Sequence, residues 1–531
     1  MRKLFLRIIL PVFMGTFFTT SYAQVDKGVL NWYNSSKTGM STDAAYKLLK
    51  KQTPETVVVA IIDSGVDINH EDLQGKIWTN TKEIPGNGID DDGNGYIDDI
   101  HGWNFLGNAN GENQDHARLE KTRIYADLKP RFENVEAADV SAEDQEDYAL
   151  YVKVRDDVEG EMKEYKDAID QTKQFRDQML PMLPSMIANM MGVKEMTEKS
   201  LNKWKTTNGQ EAQMKRLGLM IVRGELNEAL FDEQLKQIES MLNYHLNVDY
   251  DDRAIIGDDP MDINDRNYGN NDVKGVGSDH GTHVSGIVSA IRGNKLGGDG
   301  VANNVLIMSL RSVPDGDEFD KDIALAIRYA VDNGAKVING SFGKSYSPLQ
   351  KDVYEAIMYA QDHDVLFVHA AGNDNKDLAV EDNFPAVQYS FQKEPFTHVL
   401  TIGASTRFTK GNLAADFSNY GANQVDIFAP GYEIYNTWPE NNYKKIQGTS
   451  MAAPMVAGVA AMLKGYFPSL SMLEIKDIIL ESGNDFGDTE QVKPGTEEKV
   501  KFSTLSKTGK TVNVLAAVKL AQQKIKAKAA Q

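Results

Sequence analysis

The stretch VVVAIIDSGVD at residues 57–67 decides the architecture. An unbroken apolar run rich in valine and isoleucine is the pattern of a strand buried on both faces, as at the centre of a parallel sheet. The run stops at a carboxylate, Asp63, and turns at once through Ser64 and Gly65. An aspartate there has two explanations. It opens a turn, a common use of Asp, or it is a rigidly held, partly desolvated group able to orient an imidazole.

Working outward, short apolar runs recur at 305–310, 336–339, 365–368 and 398–402, and helix-like segments lie at 321–333, 348–362, 450–466 and 471–481. This alternation predicts an α/β domain whose mostly parallel sheet is flanked by helices on both faces. Ligands in such sheets bind beyond the carboxyl ends of the strands, where Asp63 and Asn373 fall. The pattern breaks over 112–261, where strand signals vanish and Glu, Lys, Asp, Gln, Met and Ala dominate. In MKEYKDAIDQTKQFRDQML (162–180) and GELNEALFDEQLKQIESMLNYHL (224–246) apolar residues recur at three and four spacing, so an inserted α-helical subdomain is predicted. A Met cluster over 179–191, with Pro181 and Pro184, predicts a helix break and adaptable packing. The expected organisation is an export signal at 1–23, an N-terminal segment at 24–52, a main domain in two parts at 53–111 and 262–485, the insertion at 112–261, and a tail at 486–531 with a helix over 512–528.

Lys and Arg number 57 against 77 Asp and Glu, a formal net charge of -20. That balance repels phosphate backbones and argues against a nucleic-acid partner, leaving solubility or cation binding as its meaning. The start MRKLFLRIILPVFMGTFFTTSYAQ has a basic end, a short apolar stretch, and Ser21 and Ala23 at small-residue positions before a cleavage point, so export is expected. The destination is periplasm, cell surface or medium, with no stable membrane insertion after cleavage. Cysteine is absent, which excludes a disulfide framework, a thiol nucleophile and thiolate metal sites.

Three further stretches carry candidate chemistry. In DHGTHVSGIVSAI (279–291), His280 precedes a helix whose small residues Gly281, Ser285 and Gly286 allow close packing, and His283 reads as a buried structural residue. The pair also has HxxH spacing, but the glutamate of HExxH is missing, so zinc is a poor match. In QGTSMAAPMVAGVAAML (447–463), Ser450 sits in the first turn of a small-residue helix. It is either an N-cap or a hydroxyl beside backbone N–H groups able to hold an oxyanion. In HAAGNDN (369–375), Asn373 is either a turn residue or a side-chain amide donor for the same oxyanion.

Taken in order, IDSGVD, HGTHVSG, AAGN and GTSMAAP resemble the subtilisin-like serine peptidases, the S8 subtilase family, over roughly 53–110 and 262–485. The resemblance implies a subtilisin-like three-layer fold and a catalytic triad of Asp63, His280 and Ser450, with Asn373 in the oxyanion hole. Ser341, Phe342 and Gly343, in VINGSFGK (337–344), then resemble the family's segment that pairs with substrate backbone and lines the primary pocket. The implied activity is serine-type hydrolysis of internal peptide bonds in protein or peptide substrates through an acyl-enzyme; the alternative is an inactive binding protein on the same fold.

In GIDDDGNGYIDD (88–99), Asp90, Asp92, Asn94 and Asp98 alternate around Gly95 like the first part of a Ca²⁺ loop, but His101 stands where an EF-hand has its glutamate. A structural Ca²⁺ completed from elsewhere is expected in preference to a solvated acidic turn. The chemistry itself needs no cofactor. Asp63 and His280 lie 217 positions apart, and the helical insertion accounts for the excess. The roughly 30 residues between the export signal and the first strand are too few for a folded inhibitory prodomain.

Overall fold

The computed structural model describes residues 28–36 and 38–529, so the export segment expected at 1–23 lies outside the described residues. Residues 121–250 form one compact unit; the described residues before them and those from 251 onward form a second. The second unit is built on β1 (Val57–Asp63), β2 (Gly102–Asn104), β3 (Val305–Arg311), β4 (Val337–Gly340), β5 (Leu366–Ala370), β6 (Val399–Ser405) and β7 (Ile427–Pro430). Two antiparallel pairs, β8 (Ile434–Trp438) with β9 (Asn442–Ile446) and β11 (Glu490–Val492) with β12 (Lys499–Lys501), stand outside the main sheet. The short β10 (Asn484–Asp485) and β13 (Lys510–Thr511) join its edge. The nine-stranded order is β10-β13-β7-β6-β5-β4-β1-β3-β2. Only the β10–β13 pair is antiparallel.

The five predicted strands are all present, each within two residues of its expected bounds at the start and three at the end. Their valines and isoleucines alternate between two cores. Val57, Val59 and Ile61 of β1 face one, and Ala60 and Ile62 face the other. Asp63 continues the odd-numbered series, which sets its side chain on the first of these faces. The segment before β1 is also part of this core. It ends in helix α1 (Thr42–Leu49), and Tyr33, Met40 and Ala45 are fully buried there.

The unit at 121–250 is helical throughout. Its helices are α2 (Glu120–Phe132), which starts one residue earlier, α3 (Gln145–Gln174), α4 (Leu183–Met191), α5 (Glu198–Lys203), α6 (Gly209–Val222) and α7 (Glu228–Ser240). Thr197, Asn208 and Asn227 cap the starts of α5, α6 and α7 with side-chain oxygens. Phe175, Leu183, Ile187, Leu217 and Phe231 form the core. The expected break near Pro181 and Pro184 is a π-helical turn over Phe175–Met179 followed by a 3₁₀ turn over Leu180–Met182, so the chain changes pitch without leaving helical form. The methionines divide: Met179 and Met191 pack against the core, whereas Met182, Met186 and Met190 are exposed at a spacing of four.

In the sheet-bearing unit, α8 (Asp279–Ser289), α11 (Thr449–Tyr466) and α12 (Met472–Ser482) cover one face, joined by α13 (Val514–Ala529), while α9 (Asp320–Asp332) and α10 (Gln350–Asp362) cover the other. This is the expected three-layer arrangement. The tail is structural: β13 pairs with β7 at Thr511↔Phe428, and Val514, Val518 and Ala521 are fully buried. No helix among the described residues is long and apolar enough to cross a membrane.

Helix α8 approaches the end of β1 so closely that a Cβ at Gly281 would stand 2.2 Å from the Gly65 carbonyl oxygen and 3.1 Å from Asp63 Cβ. Both obstacles are backbone or the first atom of a side chain, so neither can swing aside. Gly281→Ala must therefore lift α8 off the strand. We expect it to lower stability by about 1–3 kcal/mol, the usual range for overpacking, read as a fall in the urea midpoint.

Candidate active site

Asp63 ends β1 with 2% of its surface exposed. Its Oδ1 accepts the Ser64 N–H at 2.8 Å and lies 2.7 Å from His280 Nδ1. Its Oδ2 is buried without a hydrogen-bond partner. With a carboxylate acceptor on Nδ1, the neutral His280 ring carries its proton on that nitrogen and turns the Nε2 lone pair outward. The ring keeps 36% of its surface exposed. Burial presses its pKa down, but the charge of Asp63 and its hydrogen bond, with the charge of Asp279 added, outweigh burial and hold it above the ordinary 6.5.

His283, one turn further along α8, is of a different kind. It is fully buried, donates from Nε2 to the Lys444 carbonyl at 3.1 Å, and is pushed by burial to a pKa of about 3. The structure thus places His280 at the cleft beside Asp63 and encloses His283 in the core.

Ser450 stands in the first turn of α11, where backbone N–H groups have no intrahelical acceptor. Asn373 is placed against it through Thr449, a residue the sequence reading passed over. Asn373 Oδ1 accepts from Thr449 N at 2.8 Å and from Thr449 Oγ1 at 3.0 Å, and Thr449 Oγ1 in turn accepts the Gly372 N–H at 3.0 Å. Fixing the amide oxygen leaves Asn373 Nδ2 as the outward donor. A Cβ on Gly448 would lie 3.5 Å from that Nδ2 and 3.6 Å from Ser450 N, so the two donors converge on a space that a side chain at 448 would begin to fill.

Ser341 links the two halves. Its carbonyl accepts the Ser450 hydroxyl at 3.3 Å, and its own hydroxyl donates to the Ser450 carbonyl at 2.9 Å. Ser341, Phe342 and Gly343 also line a cleft of about 540 Å³ with Asp63 and His280. The cleft wall carries Asp115, Asp279, Asp315 and Asp317, with Arg311 tied to Asp115 at 2.8 Å. In this state the Ser450 hydroxyl is turned toward Ser341 O, and His280 Nε2 makes no hydrogen bond to protein among the described residues. Ser341 thus joins Ser450 to the cleft that Asp63 and His280 line, which brings a hydroxyl, an imidazole base and N–H donors to one region.

In the acidic loop, carboxylate oxygens of Glu83, Asp90 and Asp92 lie within 4.8 Å of one another. Asp98 accepts the N–H groups of Gly86, Asn87 and Gly88, as Asp90 accepts those of Gly93, Asn94 and Gly95 and Glu83 those of Asp91, Asp92 and Asp98. Asn94 points its amide nitrogen at Asp99 Oδ2, 2.9 Å away. The three grouped carboxylates are hard oxygen donors with only Lys82 near, 3.7 Å from Asp92, and Glu83 is 6% exposed. Like charges held this close suit a divalent cation such as Ca²⁺. Glu83 lies upstream of the quoted motif, and no spacing rule connects it to Asp90.

A model of the subtilase family of peptidases, S8, matches residues 55–499. A thermophilic serine proteinase of Bacillus sp. (strain AK1) is 34% identical over 232 residues, covering 44% of this chain and 50% of that protein. Subtilisin BL of Lederbergia lenta is 34% identical over 214 residues, covering 40% of this chain and 73% of that protein. A crystal structure of a cold-adapted subtilisin-like serine proteinase is similar at 28% identity with a TM-score of 0.34, over 44% of this chain and 72% of that one. The match thus spans half the length of the first of these relatives. The chain belongs to the subtilase family.

The raised His280 pKa has a direct reading. Nuclear magnetic resonance of its ring should give a midpoint above 6.5, and Asp63→Asn should move that midpoint downward, because burial then meets less opposition. Protonation of a group shifted this way favours the fold. Its stabilising contribution is fully present below the unfolded value and fades as pH rises through the folded one.

Proposed function

We propose that this chain is an exported serine endopeptidase that cleaves internal peptide bonds through an acyl-enzyme on Ser450. The observation that carries this reading is the 2.7 Å contact of Asp63 with His280 in a cleft whose Ser341 wall also holds Ser450. In its neutral form His280 takes the Ser450 proton on Nε2 as Oγ bonds to the substrate carbonyl carbon. Asp63 stabilises the imidazolium, and the new oxyanion receives N–H donors from Ser450 and Asn373. His280 then returns its proton to the departing amine, which leaves as the C–N bond breaks. Water repeats the sequence to release the acid. Ser341 to Gly343 offer backbone to an extended peptide; no backbone hydrogen bond within the described residues engages Gly343.

Export is supported by the leader-like segment 1–24 and by similarity to a cell wall-associated protease of Bacillus subtilis (strain 168), 34% identical over 41% of this chain. A Ca²⁺ held by Glu83, Asp90 and Asp92 would brace the loop between β1 and β2; the chemistry does not pass through it.

A serine-directed phosphonate separates the readings. Wild-type protein should be labelled on Ser450 and cleave casein, and Ser450→Ala should abolish labelling and lower turnover by about 10⁵-fold or more. Folded wild-type protein that resists both would establish the inactive binding protein instead, while chelator-sensitive cleavage surviving Ser450→Ala would point to metal-dependent hydrolysis. Asn373→Ala should reduce kcat by about 10²–10³ with little change in labelling stoichiometry. For the cation, chelator should lower the melting temperature of wild-type protein but not that of Glu83→Gln/Asp90→Asn. An unchanged wild-type melting temperature would remove calcium from the account.

A further inference from the structure

The substrate-pairing segment carries a buried group that the reaction does not use. His369 lies on β5, paired in register with Gly340, the last residue of β4, and is 2% exposed. Its Nε2 is 2.7 Å from the carbonyl oxygen of Phe342. The ring is stacked on Phe367 at 5.8 Å between centroids and tilted 58° against Phe342 at 5.9 Å. That aromatic slot is full, because a Cβ on Gly340 would already stand 2.8 Å from Phe367 Cζ and 3.1 Å from Phe342 Cε1. Burial pushes His369 down to a pKa of about 4, so above that pH it is a neutral ring. Facing a carbonyl, the neutral ring must carry its proton on Nε2 and donate it.

The consequence falls on three consecutive residues. The Ser341 carbonyl faces the catalytic serine, from which it accepts a hydrogen bond. The Phe342 carbonyl faces the sheet, where His369 occupies it. Gly343 is left without a backbone partner and lines the cleft. Past it the chain is pinned again, by Lys344 pairing with Phe384 through backbone bonds at 3.2 and 2.8 Å. Between β4 and Lys344, the hydrogen bond from His369 thus fixes the Phe342 carbonyl, as the bonds to Ser450 fix Ser341.

We propose that His369 is a positioning residue for substrate recognition: its Nε2–H holds the Phe342 carbonyl inward so that Ser341 and Gly343 present their backbone groups to an extended peptide. This rests on the endopeptidase reading. It goes beyond that reading in assigning the alignment of the peptide-pairing strip to a side chain that touches neither substrate nor triad.

The test compares two substrates on the full chain: a peptide amide with four residues before the cleaved bond, and a p-nitrophenyl ester of a single acylated amino acid, which reaches Ser450 without spanning the strip. His369→Phe keeps an aromatic ring in the slot but has no donor. His369→Gln can place an amide nitrogen near the Nε2 position. His369→Asn is equally polar but too short to do so. With concentrations corrected by active-site titration, His369→Phe and His369→Asn should lose about tenfold in kcat/KM on the peptide, chiefly through KM, as expected for one buried hydrogen bond. Both should stay within about twofold of wild type on the ester, and His369→Gln should recover most of the peptide activity. A uniform loss on both substrates, or none on either, in variants that titrate and melt normally would overturn the proposal. So would His369→Asn matching His369→Gln, which also decides the matter if His369→Phe does not fold. A wild-type protein giving no burst of p-nitrophenol would overturn the endopeptidase reading and this proposal with it. That result is distinct from a normal burst with no dependence on residue 369.

Discussion

The catalytic geometry depends on how closely a helix can lie against the end of a strand. Asp63 is fixed by β1 and His280 by the start of α8, and a 2.7 Å hydrogen bond between them needs the two backbones almost in contact. Glycine at 65 and 281 removes both side chains from that contact, leaving 2.2 Å between the Gly65 oxygen and the point where a Cβ of residue 281 would be. The same helix is held at its other end by Gly286, where a Cβ would meet Thr437 Oγ1 at 2.0 Å. The first contact fixes the distance between helix and sheet, and the second seats the helix against β8 outside it. The imidazole position follows from that distance, with no further adjustment by long side chains.

The central strands and the candidate site residues were legible because they obey local rules. A double-faced buried strand must be largely apolar, and β1, β3, β4, β5 and β6 are, despite Ser309, Asn339, His369 and Thr401. Asp63, His280, Asn373 and Ser450 sit at the ends of such elements and carry their context with them in sequence. What stayed hidden depends on contacts between distant segments. The strands β10 and β13 are two residues each, too short for any period to show, and they exist because β7 offers an edge. The N-terminal segment shows no element by its pattern, yet Tyr33 and Met40 are core residues.

The acidic loop shows the limit of spacing rules most clearly. Asp90 and Asp92 fall together as alternation suggests, and Glu83 joins them from outside the motif, which only three-dimensional placement reveals. Thr449 and His369 escaped notice for a related reason. Each bonds to a neighbouring segment, Thr449 to Asn373 and His369 to the Phe342 carbonyl, so neither resembles a reactive residue in one dimension.

The core on the α8 and α11 face is closed by residues from opposite ends of the described chain. Val514 at the start of α13 donates its N–H to the Met40 carbonyl at 2.7 Å, and both side chains are fully buried in the same cluster that holds the serine helix. A ribosome makes residue 40 early and residue 514 late, so this cluster cannot close while the intervening residues are still being added. Residue 514 must therefore be in place before the helix bearing Ser450 gains its final packing, so core segments made early wait for one made long after them.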